Sequence, residues 1–310
     1  MSRSRPSLPS KNHLLALKKP LASLALMGAI SGLAACGGSS DGGDTGRLSL
    51  GVTDAPVDSA TEVVVAFTGV AIKPTGGAAV EFVFDQAKSI NLLDLQGTLS
   101  ASLIDETVAA GEYQWIRLDV AAEQDNVMDS YIMMNDGTQL ELFIPSGSET
   151  GLKLVSGFTV PAGGNADFTI DFDLRKSITN PRGAASAILR PALRIVDNTV
   201  VGSIAGTVDS NLISACANES VDNGAVYVYE GADAETTDVQ GLETDPLTTA
   251  LVADNYDYEV GFLPAGSYTL AYTCDTGLDD PAAADALNFA GTANAEVTAN
   301  AETTLNLIAN

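Results

Sequence analysis

DFTIDFDL, residues 167–174, places Phe168, Ile170, Phe172 and Leu174 at alternate positions, with Asp167, Thr169, Asp171 and Asp173 between them. Side chains of an extended chain point to opposite faces in turn, so a period of two specifies a strand with one buried face and does not suit a helix. The pattern predicts the apolar four inside and the three Asp with Thr169 on a solvated outer face. The same period recurs along much of the chain. RLSLGVTDAP (47–56) alternates Leu48, Leu50 and Val52 with small or polar residues. EVVVAFTGVAI (62–72) and VEFVF (80–84) are split by the turn-forming KPTGG, and NLLDLQGTLSASLID (91–105) is expected to hold a short helix. EYQWIRLDV (112–120) sets Ile116, Leu118 and Val120 on one face and Tyr113, Trp115 and Arg117 on the other. YIMMNDGTQLELFI (131–144) reads as a hairpin about Asn135-Asp136-Gly137. Many short strands, Gly-rich turns and little helical periodicity predict an all-β fold of the sandwich or barrel kind.

DNTVVG (197–202) reads as a joint. Beyond it GSIAGTV and AVYVYEG read as strands, followed by an acidic, Thr-rich loop over 232–249. YDYEVGFLPAGSYTLAYTC (256–274) is two strands about Leu263-Pro264-Ala265-Gly266, and AEVTANAETTLNLIA is expected to close the chain as a hairpin. Ala-Gly-x-Tyr occurs twice, at Ala110–Tyr113 and Ala265–Tyr268, and reads as one device: a Gly turn launching a strand.

The N-terminus carries an address. Residues 1–19 hold Arg3, Arg5, Lys11, Lys18 and Lys19 and no acid, and LASLALMGAISGLAA (21–35) is apolar and small. This is the layout of a secretory signal peptide, and the apolar run is shorter than the roughly 20 residues a spanning helix needs. It ends Leu33-Ala34-Ala35-Cys36, which resembles the bacterial lipobox. The resemblance implies cleavage before Cys36, a diacylglyceryl group on its sulfur and a fatty acyl chain, such as palmitate, on the new amino group. More than one chain is what stable anchoring needs. Residues 37–46, GGSSDGGDTG, cannot bury a core and read as a flexible tether. Gly37, where Asp would favour the inner membrane, implies by the same resemblance the outer membrane.

A chain starting at Cys36 carries all 40 acidic residues against ten basic ones, and none of the basic ones lies beyond Arg194. Such a surface repels nucleic acid. It suits solubility in salt or cation binding. With 45% of residues hydrophobic, the chain can still bury cores. Cys216 and Cys274 are an even pair in an oxidising compartment, expected to form one disulfide.

Several ordered segments from Leu48 to about Val196 resemble the bacterial lipoprotein domains catalogued as domain of unknown function number 4382. They are LSLGVTDAPVD, AAGEYQWIRLDV, PSGSETGLKL, FTV, DFDLRKSI and LRPALRIV. The resemblance implies an exported, lipid-anchored, all-β domain and assigns no functional residue. Further on, GSIAGTV, AVYVYEG and YEVGFLPAGSYTLAY resemble the carboxypeptidase-regulatory-like or collagen-adhesin-repeat-like modules. That resemblance implies a transthyretin-like β-sandwich that spaces, supports or binds. The expected organisation is therefore a signal peptide (1–35), a lipidated Cys36 and tether (36–46) and two β-sandwich domains (47–196 and 197–310).

The one histidine, His13, falls inside the signal. A mature chain without histidine excludes Ser-His-Asp and Cys-His nucleophilic sites and His-ligated zinc. No Walker loop or S-x-x-K follows Cys36. Carboxylate pairs remain, since a glycosidase needs only two; Asp171 and Asp173 would sit about 7 Å apart on one strand face. Asp54 reads either as a ligand or as an Asx-turn residue before Pro56. Tyr113 and Trp115 read as a sugar-stacking platform or as sandwich filling, and Arg117 as a ligand clamp or an ion-pair partner. Asp254 and Asp257, with Asp275, Asp279 and Asp280, are the candidate calcium ligands, though neither group has EF-hand spacing. No other cofactor is implied. The reading is a non-enzymatic, lipid-anchored envelope protein that binds a glycan or protein ligand. A structural envelope component and a carboxylate-only hydrolase are the alternatives.

Overall fold

The structure, a computed structural model, describes residues 43–55, 60–145, 151–179, 186–190, 192–215, 223–242 and 244–309. The signal segment, Cys36, most of the tether, Pro56 and Cys216 lie outside the described residues, and so does the expected disulfide. Residues 42–310 form one compact unit. No helix among the described residues is long and apolar enough to cross a membrane.

The alternating runs do form strands. They are β1 (Thr45–Ala55), β2 (Ala60–Pro74), β3 (Val80–Asn91), β4 (Ala101–Ala109), β5 (Gly111–Ala121), β6 (Tyr131–Met134) and β7 (Gln139–Phe143). Next come β8 (Leu152–Leu154), β9 (Phe158–Val160), β10 (Asn165–Asp173), β11 (Ile178–Thr179), β12 (Ser186–Leu189) and β13 (Leu193–Asp197). Beyond Asp197 lie β14 (Val201–Thr207), β15 (Ala225–Glu230), β16 (Thr248–Leu251), β17 (Asp257–Pro264), β18 (Gly266–Thr273), β19 (Ala290–Val297) and β20 (Glu302–Thr304). The helices α1 (Leu174–Ser177) and α2 (Ser210–Ala215) are short, and the helix expected near residue 91 is a single 3₁₀ turn, Leu92–Leu95.

One sheet runs β13-β10-β1-β4, with β1 parallel to β10 and antiparallel to β4. It faces a larger sheet ordered β11-β12-β7-β6-β2-β5-β8, with β3 on β2 and β9 on β5. Leu48, Leu50 and Val52 from one and Val65, Phe67, Val70 and Ile72 from the other fill a common core, where Phe67 meets Phe172 edge-on at 6.1 Å. Each such buried side chain contributes about 1.5–3 kcal/mol. A second pair of sheets, β17-β14-β20 and β16-β15-β18-β19, encloses Ile204, Val226, Val228, Leu263, Leu270 and Leu307. β20 runs so close to β14 that a Cβ on Gly206 would lie 1.7 Å from the Leu305 carbonyl oxygen; only glycine fits there.

Four expectations need correcting. Thr169 and Asp171 are buried, 1% and 5% exposed, because the second pair of sheets packs over the face that alternation alone marks as solvated. Tyr113 does not share a face with Trp115: the β2–β5 register shifts between Lys73 and Pro74, and this bulge turns Tyr113 into the core. The closing hairpin does not form, since β19 pairs with β18 whereas β20 crosses to pair with β14 in the other sheet. Asp54 makes no Asx turn; it lies in β1, 6% exposed, with no hydrogen bond to either carboxylate oxygen.

The two Ala-Gly-x-Tyr sites do build the same device. Each strand starts at the glycine, and the tyrosine hydroxyl donates to the carbonyl four residues earlier: Tyr113 to Ala109 at 2.8 Å and Tyr268 to Pro264 at 2.7 Å. Burial raises several tyrosines of the second pair of sheets, pushing Tyr272 up to about 12 and Tyr229 and Tyr258 higher still. The folded chain therefore holds these protons more tightly than the unfolded one. The resulting stability is complete below the ordinary phenol value near 10 and is lost as pH rises through the folded values. Titrating tyrosinate absorbance upward from pH 9 should show a delayed group of phenols that ionise together with loss of β-sheet circular dichroism.

Candidate functional site

The two pairs of sheets meet along one side of β1 and β10. Arg175, in α1, is 4% exposed; its guanidinium carbon lies 5.6 Å from the Tyr227 ring centre and Nη1 donates to the Thr276 carbonyl at 3.3 Å. Lys176 Nζ donates to the Pro246 carbonyl at 2.6 Å, and Thr98 Oγ1 donates to Glu259 at 2.9 Å. A Cβ on Gly261 would come 2.3 Å from the Gly97 carbonyl oxygen, so this approach also requires glycine.

Between these contacts lies a cavity of about 540 Å³, lined by Asp54 and Asp171 from one pair of sheets and Thr249, Asp257, Glu259 and Glu302 from the other. None of the described residues lining it is a lysine or arginine. Asp171 also borders a second cavity of about 560 Å³, where Arg194 reaches it at 2.6 Å. Asp173 is paired with Lys176 at 3.0 Å and caps α1. Of these three neighbouring acids, Asp54 alone has no cation partner. Burial, with like charge from Asp171 and Asp173, holds its carboxyl well above the ordinary value of 3.8, and the Leu174 backbone N–H, short of full hydrogen-bond geometry, works the other way. Burial raises Asp171 too, opposed chiefly by the Arg194 guanidinium. Thr249 Oγ1, in a residue 6% exposed, is likewise buried without a partner.

Unpaired buried acids weaken a fold when ionised. The folded chain binds the Asp54 proton more tightly than the unfolded one. This contribution is full below the unfolded value near 4 and is lost as pH rises through the folded value. Asp54→Asn should abolish that slope and raise stability at pH 8 by about 1–3 kcal/mol, read from urea unfolding at pH 5 and pH 8. An unchanged pH profile would mean that Asp54 is ionised and accommodated.

The other candidate residues are dispersed. Tyr113 stacks on Phe158 at 4.9 Å in the core, whereas Trp115 is half-exposed with Lys153 Nζ 4.5 Å from its ring centre. Arg117 is paired with Asp119 at 2.7 Å and Glu81 at 3.3 Å. Asp254 lies on an exposed turn, and Asp257, the first residue of β17, is exposed on the cavity wall and accepts from Asn255 at 2.6 Å. Asp275 accepts from Asn288, and Asp280 from the Ala282 backbone. Only Asp279 joins an acidic group, with Asp238 and Asp285, whose carboxylate oxygens lie within 4.8 Å of one another. These carboxylates already accept protein hydrogen bonds: Asp279 from Tyr227 at 2.6 Å and the Val239 N–H at 3.1 Å, Asp238 from Gln240 and the Asp285 N–H. Cys274 is half-buried beside the second core.

Residues 45–191 match the model of the family described as Domain of unknown function (DUF4382), which bears out the resemblance read from the sequence over that span. No curated protein matches the chain. Among solved structures, the Bacillus anthracis TIE protein is 14% identical, with 86% of this chain and 34% of that one covered and a TM-score of 0.21. The minor pilin of Streptococcus agalactiae is 10% identical over 85% of this chain and 95% of that one, with a TM-score of 0.20. A streptococcal ancillary pilin is 10% identical over 86% and 69%, with a TM-score of 0.24. The chain thus spans about a third of the TIE protein's length. At these TM-scores the all-β assignment rests on the strand pairing itself.

Proposed function

We propose that this chain is a lipid-anchored cell-envelope protein with a non-catalytic binding or adhesion role, its ligand a glycan or protein held in the cleft between two sandwich domains. The domains are 47–196 and 197–310, carried on Cys36 and its tether, with a Cys216–Cys274 disulfide and anchoring in the outer membrane. One observation carries the binding role: a cavity of about 540 Å³ whose wall holds a buried carboxyl with both oxygens unpartnered. A fold that needed nothing there would be more stable with that carboxyl paired or absent. The lipobox resemblance and the missing histidine support the anchor and the absence of nucleophilic catalysis.

The test is an array of glycans and envelope or matrix proteins probed with the full chain and with Asp54→Asn. Binding that the variant loses supports the reading, and no binding to any class removes it. Protease shaving of intact cells decides the side: cleavage before the outer membrane is opened favours adhesion, and cleavage only afterwards favours an accessory role facing the periplasm.

One observation favours a second reading, a carboxylate-only hydrolase. Asp54, whose carboxyl burial raises, and Asp171, where Arg194 opposes such a rise, line one cavity, and an acid beside a carboxylate is what glycoside hydrolysis requires. Turnover of aryl glycosides that disappears in both Asp54→Asn and Asp171→Asn would establish it.

A further inference from the structure

We infer that the cleft between the two pairs of sheets takes a ligand bearing an ammonium group, whose cationic head pairs with Asp54. The inference rests on the binding reading above and names the chemistry of its ligand. Asp171 has Arg194 and Asp173 has Lys176, but Asp54, 6% exposed, has no cation, and no donor meets hydrogen-bond geometry on either oxygen. A carboxylate is an acceptor on both oxygens, and an ammonium brings three donors and the compensating charge. Thr249 Oγ1, the second buried group on this cavity without a partner, offers another acceptor. The opposite wall adds Asp257, Glu259 and Glu302, with no lysine or arginine among its described residues. The charged part of the lining is thus all acidic, which favours cations.

The spacing of the acids separates an organic cation from a metal ion. A calcium site needs six to eight oxygens gathered at about 2.3–2.6 Å from the ion. Among the described residues, the one acidic group with converging oxygens is Asp238, Asp279 and Asp285, outside this cavity. The cavity's own carboxylates are distributed over its walls, which suits a ligand of several heavy atoms with a cationic end or ends.

The charged groups around Asp54 are Asp171 and Asp173 on β10, Lys176 on α1, Arg194 on β13, Asp257 and Glu259 on β17, and Glu302 on β20. Both nearby cations are already committed to Asp171 and Asp173, so the incoming ammonium has no competitor at Asp54. Burial raises the Asp54 carboxyl and pairing with an ammonium lowers it again, so whatever proton the free carboxyl holds passes to the buffer on binding.

The experiment is calorimetric titration of the full chain, in detergent, with spermidine, calcium chloride and the neutral disaccharide maltose, each in two buffers of different ionisation enthalpy. Spermidine should bind with net proton release, and Asp54→Asn should weaken it by about 10- to 100-fold while the melting curve shows the variant folded. Thr249→Val, which leaves the charge alone, should weaken it less and leave proton release unchanged. Spermidine binding that Asp54→Asn does not affect, or calcium binding in its place, overturns the inference. Maltose binding lost in Asp54→Asn, without spermidine binding, overturns the ammonium and leaves the binding reading standing. Silence from all three probes here, with silence on the arrays, removes both.

Discussion

Arg175→Ala is expected to destabilise the chain by about 3–5 kcal/mol, the usual loss when one partner of a buried ion pair is removed. The guanidinium is 4% exposed and the Asp279 side chain wholly buried, with 3.9 Å between Nη1 and Oδ2. Asp279 would keep its hydrogen bonds from Tyr227 and Val239 but lose its cation. Burial already raises its carboxyl above the ordinary value, with Tyr227 and Arg175 working against that shift. The loss should therefore be greatest at high pH and shrink as pH falls and Asp279 takes up a proton. Arg175→Lys keeps the charge but not the planar group over Tyr227, so it should fall between wild type and alanine. Urea unfolding at pH 5 and pH 8 measures all three. A loss under 1 kcal/mol at pH 8 would show that hydrogen bonds alone support Asp279.

Phe67→Ala should cost about 3–5 kcal/mol through the cavity it leaves. Phe67 is fully buried in β2, and its ring meets Phe172 of the facing sheet at 77°. Such edge-to-face pairs add about 0.5–1.5 kcal/mol beyond area burial. Phe67→Leu, which keeps most of the volume, should recover much of the loss. The matching Val83→Ala in β3, where Val83 is 78% exposed, should stay within about 0.5 kcal/mol. If both changes cost alike, the first core is not where the structure puts it.

Most of the strands were legible because alternation is a property of single strands, and β1, β2, β5 and β10 each bury an apolar face that needs no partner to be recognised. What alternation does not encode is what covers the other face. Asp171 reads as solvated from DFTIDFDL and is buried because a second pair of sheets arrives from more than thirty positions downstream. Tyr113 failed for a different reason: a one-residue bulge reverses face, and nothing in EYQWIRLDV marks it. β20 left its hairpin because its tight approach to β14 depends on Gly206, a glycine whose role is visible only once Leu305 is beside it.

The site was legible in part. An acid directly after Leu48, Leu50 and Val52 in the same strand is the sequence signal for Asp54, and TDAP drew it toward a turn instead. Asp279 stood out among the late acids, but Asp238, in the loop predicted as merely acidic, carries no mark of their meeting. Arg175 follows the cleanest strand in the chain, and its burial comes from contacts made after the chain has folded back over it.

β1 has one more property. It starts at Thr45, where the tether ends, and reaches Asp54 at its far end, spanning about 35 Å at the usual rise. It is held on both sides, by nine residue pairs to β10 and eight to β4. On the reading proposed above, a ligand pulled away from an anchored cell would tension this strand lengthwise. Force along a strand axis loads the hydrogen bonds of both flanking ladders together, in shear, where a peeling force would break them singly. The strand that connects anchor to cleft is thus laid out as a mechanical tie.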